Sequence, residues 1–172
     1  MARAKILVVD DESKIRESFS DILGLEDFEV DSAQNGEEAI EMIDQDYYDI
    51  ALIDLNMPKV DGMEVLKYLV EHTIDTIGII LTGYATIRTA VEAMKSGAFD
   101  YLAKPVKMEE VIMVINRALE FRDIKRENVA LKNQLKKKYK FENFIGDSPE
   151  MHKVFRVIEK VADRDQNPIC DG

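Results

Sequence analysis

Asp10, Asp11 and Asp54 each follow closely on a short run of β-branched residues, and Thr82 and Lys104 take the same place after two further runs. If those runs are neighbouring strands, all five side chains converge on one crevice. Two carboxylates ~4 Å apart repel by roughly 4 kcal/mol at an effective dielectric of about 20, so three gathered acids call for a cation. Oxygen ligands without a nearby His or Cys suit a hard ion, Mg²⁺ above Zn²⁺. The Lys104 ammonium would pair with an anion, and the Thr82 hydroxyl would donate to it. A metal, an ammonium, a hydroxyl and a central carboxylate together suit phosphoryl transfer to Asp54, which attacks in line while the cations spread the phosphoryl charge.

Each piece also has a plain structural reading. A paired acid often caps a helix, and Asp11 is expected to cap one beginning near Glu12. Thr82-Gly83 reads equally as a turn and Lys104-Pro105 as a loop. The chemistry is selected by the order of the pieces along the chain.

The elements that must position them alternate in type. Strand-like runs occur at 5–9, 28–32, 49–53, 77–81 and 99–102. Between them Ile15, Phe19, Ile22 and Leu23 share one helical face, as do Ala39, Ile40 and Ile43, then Val65, Leu66 and Leu69, then Val91 and Met94. Asn35-Gly36 and Asp61-Gly62 punctuate the joins. Five strands alternating with helices predict an α/β fold, a doubly wound parallel five-stranded sheet covered on both faces. In such a sheet ligands bind beyond the carboxyl ends of the strands, where the five residues lie.

At 172 residues the chain has room for one full domain and a smaller appendage. The net charge of −11 is uneven: residues 122–140 carry eight Lys or Arg against two acids, leaving −17 for the remainder. An acidic body argues against direct nucleic-acid binding by the domain, and the basic stretch has the spacing of a solvated helix face. Apolar runs such as Ile77–Leu81 are too short to span a bilayer. The lone cysteine, Cys170, has no internal disulfide partner, which fits a reducing, cytoplasmic setting. His72 and His152 lack ligand-like neighbours and are expected at the surface, and Met57 and Met63 are expected to pack.

The segments Ile6-Leu-Val-Val-Asp-Asp-Glu12, Ile53-Asp-Leu-Asn-Met-Pro58 with Asp61-Gly62, Leu81-Thr-Gly-Tyr84 and Tyr101-Leu-Ala-Lys-Pro105 resemble the receiver domains of two-component response regulators. The match runs from Lys5 to about Leu119. It implies a flavodoxin-like (βα)5 fold and an Asp54 that accepts a phosphoryl group from a partner histidine kinase. It further implies Mg²⁺ held by Asp10, Asp11, Asp54 and the backbone carbonyl of Asn56, with Thr82 and Lys104 binding the phosphoryl group. Thr82 would turn toward that group and Tyr101 would follow, reshaping the face made by helix 4, strand 5 and helix 5. Side chains at 56 and 84 are expected to govern water access to the acyl phosphate. The Lys104-Pro105 bond is expected to be cis.

The fifth helix is expected to outrun the receiver, since no Gly or Pro interrupts residues 107–138. A heptad seam places Phe121, Asn128 and Leu135 at a, with Ile124, Leu131 and Lys138 at d. Glu120 and Glu127 then fall at g and Lys125 and Lys132 at e, complementary in a parallel homodimer. Farther on, Ser148-Pro149 reads as a helix start, followed by an amphipathic pattern of Met151, Val154, Phe155, Ile158 and Val161. Phe144-Ile-Gly-Asp-Ser-Pro149 with 154–162 looks like the opening of the AAA+ domain of sigma-54-dependent activators of the nitrogen-regulatory and dicarboxylate-transport type. No phosphate-binding Gly-rich loop follows, so ATP hydrolysis by that route is not expected.

The expected organisation is a receiver at 1–119, a helical coiled-coil linker at 120–140 and a truncated AAA+ fragment at 141–172. The expected function is a phosphorylation switch in a homodimer that controls the AAA+ domain, rather than an enzyme. One rival is an aspartate-nucleophile phosphohydrolase, but those usually carry a second Asp where this chain has Asn56. The other is a passive dimerisation module, against which Asp10, Asp11, Thr82 and Lys104 all stand intact.

Overall fold

The computed structural model describes residues 3–72 and 75–145, with side chains described as far as residue 136. The seam position Lys138, the residues from Ser148 through Val161, and His152 lie outside the residues whose side chains are described.

Five strands, β1 (Lys5–Val9), β2 (Glu29–Ala33), β3 (Ile50–Asp54), β4 (Ile77–Thr82) and β5 (Asp100–Ala103), alternate with helices α1 (Ser13–Leu25), α2 (Gly36–Gln45), α3 (Gly62–Glu71), α4 (Ile87–Lys95) and α5 (Met108–Ile145). All pairings are parallel, in the order β2-β1-β3-β4-β5. The central strands are apolar at successive positions because alternate side chains enter opposite cores. Ile6 and Val8, Ile50 and Leu52, and Ile79 and Leu81 meet Phe19 and Leu23 of α1 and Val111, Val114 and Ile115 of α5. Leu7 and Val9, Ala51 and Ile53, and Ile80 meet Ala39 and Ile43 of α2, Val65, Leu66 and Leu69 of α3, and Ala93 of α4. Met57 is buried, Met63 packs against this second core, and His72 is exposed. The strands match the expected runs to within a residue, with β3 and β4 extending to include Asp54 and Thr82 themselves.

Three expectations are corrected. Ile22 is exposed, at the edge of a stripe that α1 buries at Phe19 and Leu23 and partly buries at Ile15. Asp11 does not cap α1: Glu12 holds the cap position without a side-chain bond. The Glu12 amide is instead met by Asp10 Oδ1 at 2.9 Å. Asp11 is one residue too early in the chain for that role. In α4, Val91 and Met94 share a face with Ile87, but that face is turned to solvent. The helix packs inward through Ala93, the small side chain on the opposite side, while the large apolar ones point away.

The chain divides into a compact unit of residues 1–123 and a second beginning at Ile124. Within the first, the base of α5 is tied down by an ion pair between Arg122 and Asp49 and by the Phe121 ring, 5.6 Å from that of Phe99. Among the described residues no helix is long and apolar enough to cross a membrane.

Candidate functional site at the carboxyl ends of the strands

Asp10 follows β1, Asp54 ends β3, Thr82 ends β4 and Lys104 follows β5, so the parallel register delivers all of them to one rim. The backbone there is closely packed. A Cβ added at Gly62 would lie 2.2 Å from the Asp54 carbonyl oxygen, so only glycine lets α3 start against the site. Asp61 and Glu64 cap that helix reciprocally, with bonds of 2.9 and 3.1 Å. In the β3–α3 loop before that cap, Lys59 pairs with Glu37 at 2.9 Å.

One carboxylate oxygen from each of Asp10, Asp11 and Asp54 lies within 4.8 Å of the others. Asp10 and Asp54 are buried and Asp11 is exposed at the mouth. The Lys104 ammonium spans the two buried acids, 2.6 Å from Asp10 Oδ2 and 2.9 Å from Asp54 Oδ2. Burial pulls the Lys104 ammonium down, but the hydrogen bonds to Asp10 and Asp54 together outweigh it and the net direction is up. Lys104 is therefore a firm cation, one positive charge against three carboxylates. The excess of negative charge and the all-oxygen donor set fit a hard divalent ion beside Asp11. Lys104-Pro105 is cis, as expected.

Thr82 is fully buried, and its Oγ1 accepts from Asn56 Nδ2 and from the Tyr84 amide, each at 3.2 Å. The Asn56 backbone N–H donates to Asp54 Oδ1 at 3.2 Å. The Tyr101 hydroxyl lies 2.7 Å from Oγ1 of Thr89, one half of the reciprocal cap that Thr86 and Thr89 make at the start of α4. Of the linker residues, Phe121, Ile124, Leu131 and Leu135 are exposed apolar side chains along α5, and Asn128 lies exposed among them.

Two residues of this neighbourhood escaped the sequence reading, as did one contact of a third that it named. Arg16 donates to the Asp10 carbonyl at 2.6 Å, which its position one turn into α1 foreshadows. Thr89 is masked because a capping pair normally ends in Glu or Gln. The Asn56 side chain gives no signal that it reaches across to Thr82.

The family model for the response regulator receiver domain matches residues 6–116. The regulatory protein AtoC of Escherichia coli is 35% identical over 158 residues, covering 92% of this chain and 34% of the relative. The response regulator protein PilR of Pseudomonas aeruginosa is 33% identical, covering 98% of this chain and 36% of the relative. The chain thus spans about a third of the length of these curated relatives. Among solved structures, the response regulator TrrA of Thermotoga maritima in complex with Mg²⁺ and BeF superposes with a TM-score of 0.62 at 34% identity, covering 67% of this chain and 99% of that one. The chain belongs to the response regulator receiver domain family.

Proposed function

We propose that Asp54 accepts a phosphoryl group from the phosphohistidine of a sensor histidine kinase, with Mg²⁺ held by Asp10, Asp11, Asp54 and the Asn56 carbonyl. The observation that carries this reading is the buried Asp54 carboxylate, paired with Lys104 and gathered with the carboxylates of Asp10 and Asp11. Mg²⁺, when bound, neutralises charge on the phosphoryl oxygens. The Asp54 oxygen attacks phosphorus in line, the phosphorus–nitrogen bond to the donor imidazole breaks, and the imidazole leaves with its electron pair. Lys104 exchanges part of its bonding to Asp54 for a phosphoryl oxygen, and Thr82 donates to another. The chain performs only its own phosphorylation and dephosphorylation. A phosphohydrolase would need an acid at position 56, where the Asn56 amide is engaged on Thr82.

The switch then runs through Thr82 and Tyr101 to the face of α4, β5 and α5. Its exposed Ile87, Val91, Met94 and Met113 are suited to meet a second copy. The seam of Phe121, Ile124, Asn128, Leu131 and Leu135 continues that dimer as a parallel coiled coil. In a longer protein of sigma-54 activator type, at work in the cytoplasm, this homodimer would control the AAA+ domain.

Intact mass after treatment with acetyl phosphate and Mg²⁺ tests the first claim: the wild type gains one phosphoryl group and Asp54→Asn gains none. Equal labelling of the two proteins refutes Asp54 as acceptor. Sedimentation tests the second: Leu131→Asp with Leu135→Asp lowers the dimer fraction, and unchanged association removes the coiled coil.

A further inference from the structure

Thr82 presents a hydroxyl whose bonding capacity can be counted. A hydroxyl oxygen accepts through two lone pairs and donates one proton. Both acceptor places are filled, by Asn56 Nδ2 and by the Tyr84 amide, each at 3.2 Å. Only the proton remains, so Thr82 is held as a donor, which is what an oxygen of a phosphoryl group requires. The two donors that hold it differ in kind. Tyr84 contributes its backbone, two residues away on the same chain segment, and any residue there but proline would do the same. Asn56 contributes a side chain from another loop, two residues beyond Asp54.

We propose that Asn56 is a positioning residue whose side-chain amide fixes the donor polarity of the Thr82 hydroxyl, leaving its proton for the group on Asp54. This rests on Asp54 being the acceptor. Asn56 ties the acceptor's own loop to the hydroxyl across the β3–β4 boundary, so the two halves of the site keep their spacing. Alanine at 56 leaves one Thr82 lone pair without a donor, so the hydroxyl is no longer confined to donating. Aspartate at 56 has the same shape but only accepts, so it draws the Thr82 proton to itself and away from the phosphoryl oxygen.

The test is the rate of labelling by acetyl phosphate with Mg²⁺, for changes at 56 made in three backgrounds: Thr82, Thr82→Ala and Thr82→Ser. Asn56→Ala slows the wild type about threefold to tenfold, as expected for one lost positioning hydrogen bond. It produces no further slowing in Thr82→Ala, where no hydroxyl is left to position, and slows Thr82→Ser as it slows the wild type. Asn56→Asp is slower than Asn56→Ala when Thr82 is present, by more than the charge alone costs in Thr82→Ala. Effects at 56 and 82 that simply multiply overturn the proposal, as does an unchanged rate in Asn56→Ala.

A second readout needs neither metal nor phosphate. The ¹⁵N–¹H signals of the Asn56 side-chain amide shift in Thr82→Ala and are restored toward wild type in Thr82→Ser; signals that ignore residue 82 sink the idea. A wild type that fails to label overturns the acceptor reading instead, and the amide signals still decide whether Asn56 holds Thr82.

Discussion

Each end of the sheet gathers acids around one lysine, and the two ends behave differently. At the carboxyl end Lys104 meets Asp10 and Asp54, and at the amino end Lys5 meets Glu29, Asp31 and Asp46 at 2.6–3.2 Å. The lysines are enclosed to similar degrees, 17% and 21% of their side chains exposed. Their partners are not: Asp10 and Asp54 keep 2% and 8%, against 56%, 38% and 54% for Glu29, Asp31 and Asp46. Water can solvate the second set of acids whether or not the lysine is there. It cannot solvate the first, so there the lysine, or a metal ion, has to. A charge cluster reads as chemistry when the acids are buried in excess of their cation, and as a solvated ion-pair network when they are not.

The largest expected effect breaks this comparison at its centre. Lys104→Ala leaves two buried carboxylates facing each other and lowers stability in metal-free urea melts by about 2–4 kcal/mol, near the range for removing one partner of a buried pair. Lys5→Ala leaves three carboxylates that water reaches and costs about 1 kcal/mol or less. Added Mg²⁺ recovers part of the loss in Lys104→Ala, because a cation again stands among Asp10, Asp11 and Asp54. It recovers nothing specific in Lys5→Ala. Equal losses in the two variants, or equal recovery, would falsify the distinction.

The same contrast explains what the sequence made legible. The sheet could be read because strands buried on both faces must be apolar at successive positions, as Ile6 to Val9 and Ile79 to Leu81 are. The rim residues Asp10, Asp54, Thr82 and Lys104 could be read because a parallel sheet delivers every strand end to one edge. What could not be read depends on side-chain reach. Asn56 meets Thr82, Arg16 meets the Asp10 carbonyl and Thr89 meets Tyr101, and none of these pairs follows from spacing. Nor does the outward turn of Val91 and Met94 in α4. Periodicity shows that apolar residues share a face, but not whether a sheet or a partner covers it.

The smallest expected effect sharpens the comparison at the amino end. Tyr48 lies in the second core, and its hydroxyl donates to Asp31 at 2.9 Å, inside the Lys5 network. Burial first, and then that bond to a carboxylate, push the Tyr48 phenol up to about 12. A raised value means the folded protein holds the phenol proton more tightly than the unfolded chain does, whose tyrosines lose it near ~10. The resulting stability is fully present below that value and is lost as pH rises through the folded one. Lys104 is raised as well and shares this sign, so the wild type loses stability at both ends of the sheet on the alkaline side. Tyr48→Phe removes the tyrosine contribution only. Its urea midpoint falls at neutral pH by the loss of one hydrogen bond, about 1 kcal/mol. It then falls less steeply than the wild type between about pH 10 and 12. Parallel pH profiles for the two proteins would show that the Tyr48 hydroxyl is solvated in the native state. The amino-end cluster would then be wetter still, and the contrast with the crevice wider.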